Sequence, residues 1–357
     1  MMFARRLAIA FVLAGTTLGV GGATASTGNW YNPYFLVSDG PAVSAPRADA
    51  SLVNGWGLSA GPTTPWWTSN NGTNTSTLYN GSGVKSALTV SVPGGPTGTV
   101  FNGNAAAFVV SQNGKSGSAR FLFATQAGTI LGWSPAVNGT TAIPGVDRSA
   151  QGAEYDGLTT LNNRLYATDF HNARVDVFDA TFAPVTLAGG FTDAQIPAGW
   201  APFGIQALGG NIFVTYAKQD AAKRNDVAGG GLGYVNEYSP DGVLLARVAK
   251  RGLPKAPLNS PWGLAMAPDT FGGFGGDLLV GNFGNGKISA YKPPTAPATK
   301  WIYKGQLRIA TGAIIKIEGL WAIAFGNGAA AGSTNNLYFL SGPTGQTHGL
   351  FGFITVG

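Results

Sequence analysis

The sequence predicts an all-β fold: a six-bladed β-propeller with four antiparallel strands per blade, its ring closed by an N-terminal strand. Three observations predict it. Beyond the first 25 residues no apolar pattern of period 3.6 is sustained, and charged residues make up only 11% of the chain. Typical domains carry roughly 25%, so long amphipathic helices have no polar face to build on here. The 55 glycines supply turns in abundance. Finally, one module recurs six times: an apolar strand ending in a polar residue, a short Gly/Asn loop, then an alternating strand ending in an aromatic. About 330 residues over six modules is about 55 each, near the size of a four-stranded blade.

The elements follow in order. MMFARRLAIAFVLAGTTLGVGGATAS opens the chain with Arg5 and Arg6 before an apolar run, Leu7 to Val20, and a small-x-small site at Ala23-Thr24-Ala25. That pattern is a secretory leader, residues 1–25, too short to span a bilayer. Residues 26–357 are then one domain, expected to be exported to the periplasm or secreted, with no transmembrane segment. Tyr34-Phe35-Leu36-Val37-Ser38 is the closing strand, expected beside Phe351-Gly352-Phe353-Ile354. The six modules are WTSNNGTNTSTLY (67–79), FATQAGTILGW (123–133), YATDFHNARVDVFD (166–179), FVTYAKQD…LGYVNEY (213–238), LVGNFGNGKISAY (279–291) and FLSGPTGQTHGLFGF (339–353). Five have a Gly-apolar strand upstream: NGWGLS, YDGLTT, PFGIQA, SPWGLA and EGLWAIAF. For the second module NAAAFVV (104–110) takes that place. Alternation inside a module, as in Arg174-Val175-Asp176-Val177-Phe178, marks strands with one buried face, and radial packing of the sheets leaves only short edges.

Composition narrows the chemistry. There is no cysteine, which excludes thiol catalysis, zinc–thiolate sites and a disulfide framework. The formal charge is +6, of which Arg5 and Arg6 contribute two. Beyond residue 240 ten Lys or Arg face four acids, among them Arg247, Lys250, Arg251 and Lys255. We read these as solvated outer strands that resist edge pairing, so nucleic acid is not the expected partner.

DFHNARVDVF resembles the D-x-x-N-x-R-V-x-V-F core of NHL-type propeller repeats. FLVSDGPA, SLVNGWGLS, LYATDFHNARVDVFD, VTYAKQD, LNSPWGLAMAP, GDLLVGNFGNGKISAY and GLWAIAFGNG…LYFLSGPTGQTHGLFG are similar to a family of exported bacterial proteins of uncharacterised function, some with a C-terminal sorting tail. The resemblance implies a propeller and export, and it carries over no catalytic residue. The chain ends at FITVG without the tail, so anchoring by that route is not expected.

In such a ring the ends of second strands and the entries to inner strands share one rim. That rim collects Asn70, Gln126, Asp169, Tyr216, Asn282 and Gly342 with Asn54, Glu154, Asp156 and Glu318. Candidate ligand-binding residues are Asn70, Asp156, Asp169, Tyr216, Lys218, Asp220, Asn282 and Glu318. Asp156, Asp169, Asn282 and Glu318 offer the oxygen donors that Ca²⁺ or Mg²⁺ prefers, and gluconolactonase-like propellers use such a constellation on a metal. The bland reading is that Asp169 and Asn282 bond to nearby backbone amides and fix their loops. His171 has a suitable proton affinity for transfer but sits in a turn, and His348 belongs to the opposite blade. The loop YAKQDAAKRNDVAGGGLG (216–233), with Lys223, Arg224 and Asp226, is the longest between second and third strands and a candidate lid. Trp56, Trp262, Trp321 and Phe203 recur at the same blade position, which points to packing. Two functions stay open: binding of a protein, glycan or small molecule at this rim, or divalent-metal-assisted hydrolysis or lyase chemistry on a lactone or ester at the central mouth.

Overall fold

The computed structural model describes residues 29–250, 257–296 and 298–357. The expected leader, Arg251 and Lys255 lie outside the described residues. Within them the chain is a ring of six antiparallel sheets. Blade one runs through Gly55–Ser59, Trp66–Asn70, Thr75–Tyr79 and Lys85–Ser91 from the axis outward. Blade two holds Pro96–Phe101, Phe121–Thr125, Thr129–Trp133 and Ile143–Asp147. Blade three holds Tyr155–Leu161, Arg164–Asp169 and Arg174–Phe178. Blade four follows with Trp200–Leu208, Asn211–Lys218, Tyr234–Tyr238 and Leu244–Ala249. Blade five has Pro261–Met266, Leu278–Asn282, Ile288–Lys292 and Ile302–Gln306. Blade six combines Leu320–Phe325, Leu337–Ser341 and Leu350–Val356 with Tyr31–Ser38 from the other end of the chain.

That last strand closes the ring as expected. Its antiparallel register pairs Tyr34 with Phe353, Val37 with Phe351 and Ser38 with Leu350. Tyr34 and Phe353 stack at 5.0 Å, so the closure joins ring contact to backbone hydrogen bonds.

Two expectations are corrected. The inner strand of blade two is Pro96–Phe101, not residues 104–110; Val109–Gln112 instead pairs with Lys115–Ser118 in a hairpin inserted between the first and second strands. The apolar character of 104–110 has another cause: Ala107, Phe108 and Val110 are buried in the core between blades two and three. Blade three has three ladder strands. Its fourth place is taken by a single bridge from Phe178 to Pro184 and the bond from Val185 N to Val177 O, 2.8 Å. Pro184 lacks the amide a longer ladder needs.

The Gly-apolar pattern of the inner strands has a steric origin. A Cβ at Gly57, Gly98, Gly157, Gly204 or Gly263 would run into the backbone of the next blade's inner strand, at Thr97, Leu158, Phe203, Trp262 and Trp321 respectively. Inner strands converge on the axis, and only a residue without a side chain allows backbones to meet that closely. Pro96-Thr-Gly-Thr-Val carries the same mark, the signal that identifies it as an inner strand. Gly204→Ala is therefore expected to cost about 3 kcal/mol by forcing blades four and five apart. Urea unfolding checks this, and a variant within 0.5 kcal/mol of wild type, about the scatter of neutral substitutions, would refute the close-approach argument.

Candidate functional site

The floor of the upper mouth is aromatic. Trp56 stacks on Trp321 at 3.8 Å, Phe283 stacks on its other side at 3.9 Å, and Trp262 and Phe203 meet Trp321 edge-on at 5.9 and 5.8 Å. These side chains come from blades one, six, five and four. Blades that are not neighbours can touch only at the axis, so the cluster plugs the channel. Trp321 is 1% exposed and its Nε1 donates to Asn54 Oδ1 at 2.9 Å. The recurrence of Trp at the inner-strand entries is thus packing.

Above this floor the entry and second-strand end of blade three and the long loop of blade four bring four carboxyl groups together, with Ser260 from the entry of blade five beside them. Glu154, Asp156 and Asp169 are all buried, and Asp226 is half-buried. Asp156 Oδ1 is enclosed without a hydrogen-bond partner, and Asp226 Oδ2 and Ser260 Oγ are enclosed with no close partner beyond their own long contact. Ser260 lies beside Asp226 and has φ 46°, a left-handed conformation that costs a non-glycine residue energy. Burial pushes Asp156 well above the ordinary carboxylate range, and the charges of Glu154, Asp226 and Asp169 push the same way. Burial raises Glu154 to about 7 although Arg224 Nη1, 2.8 Å away, opposes it. Asp226 and Asp169 are also raised by burial. Two carboxyls, Asp156 and Asp226, therefore lie in low dielectric with no cation beside them, a state that favours their protonated forms.

The long loop closes over these acids. Gln219 Nε2 donates to Phe170 O at 2.6 Å and His171 O at 3.3 Å, Arg224 bonds Glu154, and Gly229 N donates to Asn259 Oδ1 at 2.7 Å. It is pinned to blade three on one side and blade five on the other.

The remaining expected residues separate into distinct roles. Asp169 Oδ1 accepts from the amides of Glu154 and Asn172, both at 3.2 Å, and Oδ2 from Asn172 Nδ2 at 2.8 Å, with Arg174 at 3.3 Å. Asn282 Oδ1 accepts from Asn259 N at 2.9 Å. Asn70, fully buried, bonds Thr68, Thr75 and Thr77. These three tie the end of a second strand to its surroundings. Tyr216 is not at the rim: it packs between blades three and four with its hydroxyl 2.6 Å from that of Tyr238, and the strand runs on to Lys218. Lys218 is exposed. Asp220 shapes the loop, accepting from Arg224 N at 2.9 Å and Asn225 Nδ2 at 3.0 Å. Glu318 is exposed and accepts from Thr344 N at 2.8 Å.

Of the expected metal set, only Asp156 and Asp169 come together. Asn282 and Glu318 belong to other blades, where Asn282 Oδ1 and Glu318 Oε1 each accept from a backbone amide, and among the described residues no three His, Cys, Asp or Glu side chains group around one point. As arranged these residues do not fit Ca²⁺ or Mg²⁺, which needs six to eight oxygens about one centre. His171 keeps a buried Nδ1 without a partner, while His348 Nδ1 lies 2.8 Å from Asp39 Oδ2 at the ring closure. Sequence reasoning missed Ser260 and Asn259. Their signal is position, since Ser260 precedes Pro-Trp-Gly as Asn54 precedes Gly-Trp-Gly, and both have positive φ.

No family model matches the chain. It is similar to two uncharacterised proteins of Acanthamoeba polyphaga mimivirus. The first is 32% identical over 232 residues, covering 64% of this chain but 42% of that protein. The second is 29% identical over 303 residues, covering 81% and 77%. The chain thus spans less than half of the first relative's length. Among solved structures, a Bacteroides thetaiotaomicron protein of unknown function aligns with TM-score 0.56, 12% identity and coverage of 91% and 76%. A luciferin-regenerating enzyme aligns with TM-score 0.51, 12% identity and coverage of 85% and 92%. At such identities the likeness is one of fold: the chain is a β-propeller. The relatives found here are viral, and the likeness to exported bacterial proteins rests on the sequence stretches alone. No described helix is long and apolar enough to cross a membrane.

Proposed function

We propose that this propeller binds a small, positively charged ligand at the acidic upper mouth, beneath the loop of residues 219–232. The observation that supports it is the pair Asp156 and Asp226, enclosed with no cation beside either, with Asp156 Oδ1 bonded to nothing and the Ser260 hydroxyl facing only Asp226. A cation entering this site provides the missing countercharge. Binding requires the carboxyls to ionise, so protons leave as the ligand enters and affinity rises with pH. Calorimetry with choline and its uncharged isostere 3,3-dimethylbutan-1-ol, at about pH 5.5 and about pH 8, tests this. Choline alone should bind, more tightly at the higher pH, and Asp156→Asn should weaken it about tenfold. Equal binding of the two probes, or binding of neither, sinks the reading.

The loop is the gate in this proposal. Gln219→Ala with Arg224→Ala removes its ties to blade three, and cleavage within 219–232 by a dilute protease is expected to speed up about tenfold. An unchanged cleavage rate argues against a gate.

Hydrolase or lyase chemistry on a lactone or ester keeps one supporting observation: Glu154, held near 7, suits proton transfer at neutral pH. Turnover of a lactone or ester panel by wild type and not by Glu154→Gln supports it, and no turnover by either removes it. Export belongs to the same proposal and draws on the leader pattern. Expressed with that leader in a secreting host, the mature protein is expected to begin at Ser26; an intact Met1 speaks against export.

A further inference from the structure

The opposite end of the channel holds a cavity of about 270 Å³. Its walls are the inner strands of blades one, four, five and six, two to five residues beyond Trp56, Phe203, Trp262 and Trp321, roughly 7 to 17 Å further along the axis. The aromatic plug lies between this cavity and the upper mouth.

Its lining has a definite chemistry. None of the lining residues is ionisable, and Leu58, Leu264, Met266, Ile323 and Phe325 make the walls apolar. Three polar groups at its edge lack full protein partners. Trp66 Nε1 is buried and donates to nothing. Ser59 Oγ accepts from Phe101 N at 3.0 Å, but its own proton finds no protein acceptor. The carboxamide of Gln206 bonds to no described side chain or backbone group. Asn327, by contrast, is fully engaged, donating to Gly61 O and Thr64 O and accepting from the amides of Ala329 and Ala331.

An uncharged apolar wall with donors in excess selects one kind of guest. We infer that this lower cavity is a second binding site, distinct from the acidic mouth, for a compact uncharged molecule: one apolar ring bearing a carbonyl or hydroxyl oxygen. Charge is rejected because no lining group can compensate it. Size follows from the volume, which lies just below the ~300 Å³ lower end of drug-sized pockets. The oxygen is the acceptor for Ser59 and Gln206, and for Trp66 once its indole shifts toward the guest.

The test uses cyclohexanone and, as a charged probe of similar shape, cyclohexylammonium, with the full-length protein. The reporter is the indole N–H resonance of Trp66 in a heteronuclear NMR spectrum, assigned by its disappearance in Trp66→Phe. Cyclohexanone should shift this resonance to saturation while cyclohexylammonium leaves it in place. Gln206→Leu should weaken cyclohexanone about tenfold by removing one hydrogen bond, and Ala324→Leu, which fills the space, should abolish the shift. Thermal unfolding of both variants, each at a partly buried site, shows whether they fold, and Gln206→Leu carries the test should Ala324→Leu not. No shift up to the solubility of the probe, equal shifts with both probes, or full affinity in the folded variants overturns the inference. The failure of choline at the upper mouth would leave this outcome untouched, because no lining residue is shared.

Discussion

Replacing Trp321 by alanine is expected to lower the unfolding free energy by about 3–5 kcal/mol, the range for deleting a large buried aromatic. Trp321 is the centre of the axial plug, between the faces of Trp56 and Phe283 and the edges of Trp262 and Phe203. Its loss opens a cavity that four blades line and none can collapse into, because glycine contacts already hold their backbones together. It also leaves Asn54 Oδ1 without its indole donor, a buried acceptor with a penalty of its own. Trp321→Phe keeps the stacking and loses that bond, so it should cost less, about 1–2 kcal/mol. Urea denaturation of both variants checks the order. An alanine variant within about 1 kcal/mol of wild type would mean the plug is not what braces the ring.

The second large effect is an inverted pH profile. Glu154 has its proton affinity raised from 4.5 to about 7, so between those values the folded protein holds a proton that the unfolded chain releases. The folded state then binds more protons, and stability falls as pH rises through that window. Asp156, Asp226 and Asp169 act with the same sign, each losing stability above the ordinary carboxylate range. Asp49 and Asp193 act oppositely: despite burial, Asp49 is held low by Lys85 and Tyr79 and Asp193 by Arg247, so their stabilisation is lost only as pH falls below their ordinary value of 3.8. Stability should therefore peak in mildly acid solution, at about pH 4–5. The urea midpoint is expected to fall by on the order of 1 M from there to about pH 8. Glu154→Gln with Asp156→Asn should flatten the curve and leave the protein more stable than wild type at neutral pH. A wild-type profile that is level or rising over this range, or a double variant that keeps the slope, contradicts the burial of these acids.

Much of the fold was legible because its determinants are local. The six modules, the turn glycines and the closing strand are short-range patterns, and each corresponds to a blade or to Tyr31–Ser38. Blade two was misread at 104–110 because an inserted hairpin core imitates an inner strand in apolarity alone. The site was far less legible. Asp156 and Asp169 could be placed at one rim from blade position, and the Asx pattern already offered local amide bonds for Asp169, but nothing local shows that Asp156 Oδ1 is enclosed without a partner. Tyr216 looked like a strand terminus, yet the ladder to Trp200 carries the strand two residues further, to Lys218.

By itself the sequence determined the architecture: strand alternation, glycine at each inner strand and the repeat length are properties of neighbouring residues, and packing follows from them. Only the tertiary structure decided the chemistry of the mouth. Asp156, Asp226 and Ser260 are brought together from blades three, four and five by a loop folded over the axis. Their charge states arise from the desolvation that this fold imposes. Burial and proximity are sums over atoms distant in the chain, and no spacing along it records them.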